Sequence, residues 1–164
     1  MRIFLCLVLA LTLLTGCGKP KDFETMSDSF LEPEPPQAQQ MIFLLPEDAA
    51  KAVLEDPSAG TLYLCDGYTV AVQTLPAGNL DATVREVTGY GREQVQLWQR
   101  KDGAFSRYMC VWASAGEGGD QMGKTTILDD GSYHYVLSVM AAAEDAGSLA
   151  ETWQELMDSF RIVP

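Results

Sequence analysis

The chain has 164 residues, 47% of them apolar, and carries 11 Lys and Arg against 23 Asp and Glu, a formal net charge of −12. That charge repels phosphate backbones and anionic headgroups, which argues against nucleic-acid binding and against attachment to membranes by basic patches. A single histidine and the lack of a Cys-x-x-Cys pair exclude a structural zinc site, and the length leaves room for one hydrophobic core.

Met1-Arg2 followed by the apolar run Ile3 to Leu14 reads as the charged and hydrophobic regions of a signal peptide. A permanent span needs about 20 apolar residues, and this run ends at Thr15-Gly16, before the polar Gly18-Lys19-Pro20-Lys21. Leu14-Thr15-Gly16-Cys17 resembles the lipobox of bacterial lipoproteins. The resemblance implies cleavage after Gly16, lipid on Cys17 and an extracytoplasmic position at the bacterial cell membrane; Cys6 leaves with the signal. An ordinary secretory signal, with Cys17 a bystander thiol, is the competing reading. Losing residues 1–16 removes Arg2 and no acid, so the mature charge becomes −13, and two acyl chains suffice for stable anchoring where one is marginal.

From Cys17 to residue 40 the composition is Lys, Asp, Glu, Ser and Gln around Pro33-Glu34-Pro35-Pro36. It has too little apolar surface to offset ordering entropy and is expected to be a tether. The domain is expected to occupy residues 41–164. Met41 to Leu45 predicts a short buried strand closed by Pro46, and Ala50, Val53 and Leu54 fall at helical spacing within Glu47 to Glu55. Thr61 to Cys65 and Tyr68 to Leu75 are β-branched and aromatic, and Asp66-Gly67 between them predicts a two-residue hairpin.

Asn79 suits the cap of a helix whose Leu80, Val84 and Val87 share a face, and Gly89 suits its left-handed end. Val95 to Arg100, Phe105 to Ala113, Lys124 to Leu128 and Tyr133 to Met140 predict four further strands in a meander. Ser148-Leu149-Ala150-Glu151 has the form of a capping box, opening a helix that aligns Leu149, Trp153, Leu156, Met157 and Phe160. Phe160 to Val163 predicts a final short strand. The fold class is α+β: a largely antiparallel sheet flanked by helices, an α/β/α sandwich.

The order of a small helix ending in Gly89, several strands, Asp129-Asp130-Gly131 before Tyr133 and Tyr135, and a last helix ending Met157-Asp158-Ser159-Phe160 resembles the PsbP-like superfamily. The resemblance covers roughly residues 41 to 164 and implies a sandwiched antiparallel sheet and a tendency to bind partners. It brings no single chemistry with it, and no stretch here matches a metal-binding motif of the photosystem member.

No cofactor is expected. His134 alternates with Tyr133 and Tyr135, so it faces away from Leu137 and Val139; it is either a structural residue or a surface reader. With no Gly-x-Ser-x-Gly elbow, nucleophilic catalysis has no visible machinery. Cys65 and Cys110 either form a disulfide, which an exported domain permits, or fill core space as buried thiols. Glu117, Asp120, Asp129 and Asp130 offer oxygens to calcium without the EF-hand order and are expected to be solvated turn carboxylates. Trp98, Trp112 and Tyr108, in adjacent strands, either pack in the sheet or line a groove for a ligand. The expected function is a non-enzymatic, membrane-anchored domain that binds a protein or cell-envelope partner. The alternative is a small-molecule or metal-binding module at the cell surface.

Overall fold

The computed structural model describes residues 36–115 and 119–163. The signal, the lipobox with Cys17, the start of the tether and Glu117 therefore lie outside the described residues. Seven strands form one antiparallel sheet, and a two-stranded ribbon of β1 (Gln40–Ile42) and β9 (Arg161–Val163) accompanies it. The sheet comprises β2 (Ala50–Lys51), β3 (Thr61–Cys65), β4 (Tyr68–Pro76), β5 (Gln96–Asp102), β6 (Phe105–Ser114), β7 (Gln121–Asp129) and β8 (Tyr133–Ala142), in the order β2-β3-β4-β8-β7-β6-β5. Helices α1 (Leu80–Thr88) and α2 (Ala150–Ser159) lie on opposite faces, giving an α+β fold with a helix-flanked antiparallel sheet.

Side-chain alternation sorts the sheet into two interiors. On one face Val70, Val72, Leu128, Tyr135, Leu137 and Val139 bury against Trp153, Leu156 and Met157 of α2, with Phe160 and Ile162 beside them. On the other face Ile127 and Val136 meet Val84 of α1, ringed by Leu75, Leu80, Val87, Leu97 and Tyr108. The strands between 61 and 142 follow the apolar alternation closely. In the first hairpin Cys65 pairs with Tyr68 around Asp66-Gly67, and Gly67 takes a φ of 76° that L side chains avoid.

Local chemistry explains the caps. Asn79 Oδ1 accepts the Asp81 amide at 2.9 Å, and Gly89 at φ 77° returns its own amide to the Arg85 carbonyl. The capping box expected at Ser148 does not form: Ser148 Oγ donates to Asp145 O at 2.8 Å, and the cap residue Leu149 makes no side-chain cap bond. The preceding turn at Asp145 has already taken the serine.

Two other expectations need correction. Glu47 to Glu55 is not a helix; Ala50–Lys51 pairs with Leu64 and Tyr63 of β3, and Val53 stands 99% exposed. One turn's worth of apolar spacing between Pro46 and Pro57 is too short to nucleate a helix alone. The domain also begins before Met41: Tyr133 Oη donates to Pro36 O, and the Gln39 amide donates to Tyr135 Oη at 2.9 Å. Gln39 Nε2 adds a 3.3 Å bond to Asp130, so residues 36–40 belong to the domain rather than the tether.

Candidate functional site

Cross-strand register decides which candidate side chains meet. Trp98 of β5 pairs with Met109 of β6, whereas Tyr108 pairs with Gln99 and Trp112 with Gly123. Trp98 therefore points to the α2 face and Tyr108 and Trp112 to the α1 face. Of the two readings of Trp98, Trp112 and Tyr108, a groove shared by all three is ruled out, because adjacency in strands is not adjacency on one face. Tyr108 packs in the α1 interior, and the Trp112 indole donates to Thr125 Oγ1 at 3.1 Å.

Trp98 instead lines a cleft of about 290 Å³ with Arg100, Met109, Val111 and Lys124, closed by Gln154 and Asp158 of α2. Its indole is 49% exposed, and Val111 on the floor is also exposed. One polar chain frames the wall: Lys124 Nζ donates to Gln154 Oε1 at 2.6 Å, and Gln154 Nε2 donates to Asp158 Oδ2 at 2.9 Å. A larger hollow, about 370 Å³, is lined by Gly119, Asp120, Gln121, Ala142, Ala143 and Glu144 and offers no aromatic surface. An exposed indole flanked by an apolar floor and fixed polar groups offers both apolar contact area and hydrogen-bonding groups to solvent.

The helix that walls this cleft is held by a residue that the sequence analysis did not single out. Arg107, 5% exposed, donates Nη1 to Met157 O at 3.3 Å, Nη2 to Phe160 O at 2.8 Å and Nε to Asp102 Oδ2 at 2.7 Å. It satisfies carbonyls at and just past the carboxyl end of α2 and so fixes the helix that walls the cleft. The available signal was a lone charge inside the otherwise apolar run Phe105 to Trp112. Arg100, directly across from Arg107, is exposed and has no bonded partner among the described residues.

The remaining candidates are structural. His134 is 1% exposed, shares a 2.8 Å hydrogen bond with Thr83 Oγ1 of α1 and lies 3.9 Å from Asp129; it pins helix to sheet and is no surface reader. Asp130 Oδ1 accepts the Ser132 and Tyr133 amides at 2.8 and 2.7 Å, and its Oδ2 accepts Tyr135 Oη at 2.8 Å. Asp129 Oδ1 accepts the Gly131 amide. Among the described residues no three His, Cys, Asp or Glu side chains are grouped to hold a metal ion, and no helix is long and apolar enough to cross a membrane.

Cys65 and Cys110 are free, which rules out the disulfide and leaves the reading of unpaired thiols. Strands β4, β8 and β7 lie between theirs, a gap of roughly 19 Å at about 4.8 Å per strand, whereas a disulfide needs Cα atoms within about 7 Å. Burial pushes the Cys110 thiol up to about 11, against hydrogen bonds with Thr125 that lower it. The Tyr68 hydroxyl faces the Cys65 thiol and has no oxygen or nitrogen partner among the described residues; burial pushes it up to about 12.

No family model and no curated protein matches the sequence. Solved structures do match the fold. The cyanobacterial PsbP of Synechocystis is similar at a TM-score of 0.55 and 10% identity, over 75% of this chain and 86% of its own. LpqN of Mycobacterium tuberculosis, described as involved in cell envelope biogenesis, aligns at 0.52 and 14%, over 80% and 88%. The Ran-binding protein Mog1p of Saccharomyces cerevisiae aligns at 0.51 and 11%, over 78% and 97%. At these identities the likeness establishes a PsbP-like fold and nothing about activity.

Proposed function

We propose that the chain is an extracytoplasmic lipoprotein of the bacterial cell envelope, anchored through lipid on Cys17, whose domain binds a protein or cell-envelope partner and catalyses no reaction. The observation that carries the binding role is the half-exposed Trp98 in its cleft beside the sheet edge at β5. Tryptophan is enriched at binding interfaces, and an indole offers contact area at little entropic cost. Leu14-Thr15-Gly16-Cys17 supports the anchor, and the net charge of −12 disfavours any attachment that relies on basic residues. The envelope role described for LpqN supports the same setting.

The non-enzymatic reading is supported by His134, the one imidazole, being buried against Thr83 and out of reach of a bound substrate. A second reading, a small-molecule module, is favoured by the 290 Å³ size of the Trp98 cleft. The acidic turn gives calcium less support, since Asp130 spends its carboxylate on Ser132, Tyr133 and Tyr135.

Metabolic labelling with a fatty-acid analogue tests the anchor: label is expected on the wild-type chain and absent from Cys17→Ser, and label retained in that variant refutes it. Chemical cross-linking in intact cells tests the partner. A discrete complex lost in Trp98→Ala is expected, and a chain that remains uncross-linked with either residue overturns the partner role.

A further inference from the structure

We propose that the outer edge of β5 accepts an extended acidic segment of a partner protein as an added antiparallel strand, with Trp98 and Arg100 contacting its side chains. This rests on the partner-binding reading above and specifies its surface.

The two edges of the sheet are unequal. At one end β2 offers two residues; at the other β5 runs seven, Gln96–Asp102, and among the described residues pairs only with β6. Its register with β6 is unbroken from Gln96 opposite Val111 to Asp102 opposite Phe105, and the strand holds no proline. An edge of this kind presents a row of outward amides and carbonyls, the template used in strand addition.

Charge selects the occupant. In a chain with net charge −12, Arg100 and Lys101 are the one pair of adjacent basic residues, and they sit on this edge. Being neighbours on a strand, they project to opposite faces, Arg100 on the cleft side. A second copy of β5 paired antiparallel about Gln99 sets the two Arg100 side chains diagonally across one ladder, like charges within reach of each other. An acidic strand neutralises the same positions.

The register defines a pattern. Read along its own direction, the added strand places an acid opposite Lys101, an acid opposite Arg100, any residue opposite Gln99, then apolar residues opposite Trp98 and Leu97. The residue opposite Trp98 abuts the cleft floored by Met109 and Val111. Arg100 is exposed and makes no hydrogen bond or ion pair among the described residues, so none is broken when it turns to a carboxylate.

The test is fluorescence anisotropy of a labelled peptide Gly-Glu-Asp-Ser-Leu-Val-Gly titrated with the full-length chain in detergent. Saturable binding is expected. It should weaken about tenfold with Arg100→Glu and be lost when alternate peptide amides are N-methylated, which removes the ladder bonds but keeps every side chain. Equal binding of the N-methylated or a sequence-scrambled peptide overturns the proposal, as does the absence of binding. An oligouronate that binds in an Arg100-dependent way while the peptide does not assigns the surface to a glycan and also overturns it, and so does self-association through β5 that excludes the peptide. The N-methylated peptide needs no protein variant, so the result does not depend on Arg100→Glu folding. A cellular cross-link insensitive to Arg100→Glu overturns this edge assignment alone and leaves the partner-binding reading standing.

Discussion

The Trp112 indole fills the space that a side chain on Gly123, its cross-strand partner, would occupy: a Cβ built there overlaps the six-membered ring. The same indole donates to the fully buried Thr125, whose hydroxyl also bonds Ser138 at 2.8 Å. Gly123→Ala therefore has to expel the ring, and its cost is expected at about 1–3 kcal/mol, in the range of overpacked cores. Denaturant unfolding measures the loss, and a red shift of tryptophan emission reports the displaced ring. A variant as stable as wild type would show that the indole relocates freely.

Arg107 makes a sharper prediction. Replacing it with Met keeps the volume but removes the partner of the Phe160 carbonyl and of Asp102, and leaves Met157 O with only the 3.4 Å bond from the Phe160 amide. A loss of about 3 kcal/mol is expected, since each buried acceptor left unpaired costs about 1–3 kcal/mol. Arg107→Lys should recover only part of this, because one ammonium replaces a planar fork that reaches two carbonyls and Asp102 together. Thermal melts of the three proteins rank them.

The two cysteines should behave differently toward iodoacetamide at pH 8. Cys65 is half-buried and Cys110 buried, so Cys65 is expected to be modified first and Cys110 only on denaturation, as mass spectrometry of the peptides would show. The raised Cys110 value also sets an alkaline limit. Its folded pKa, about 11, exceeds the ordinary 9.0, so its stabilisation is complete below pH 9 and is lost as pH rises toward 11. Cys110→Ala should flatten that limb.

At the acid end the sign reverses. Burial raises the Asp130 carboxyl, but the amides of Tyr133 and Ser132 and the Tyr135 hydroxyl together outweigh it, leaving the group below its ordinary 3.8. The unfolded chain thus takes up the proton first, and the stabilisation is present above pH 3.8 and lost as pH falls through the folded value. Asp130→Asn is expected to be less stable at neutral pH and less sensitive to acid, measured as denaturation midpoints between pH 2 and 6.

Much of the fold could be read from periodicity, because the long strands from Thr61 to Ala142 alternate and their turns carry Asp66-Gly67, Asp102-Gly103 and Asp129-Asp130-Gly131. Asn79 and Gly89 framed α1 for equally local reasons. What escaped depended on distant partners. Ala50 becomes a strand because Leu64 lies beside it, and Ser148 leaves its helix because its hydroxyl bonds Asp145 O in the preceding turn. The site was half visible: Trp98 was identified, yet its neighbours Met109, Arg100 and Lys124 follow from register, and register is a pairing between strands that no single strand encodes.

The inequality of the sheet edges bears on assembly as well as recognition. A sheet with two long edges is divalent and can extend through copy after copy, the route to fibres. Here a two-residue strand closes one end, so any pairing at β5 has no equivalent site on the opposite side of the same domain. Pairing through this sheet would be monovalent, ending with one partner instead of propagating.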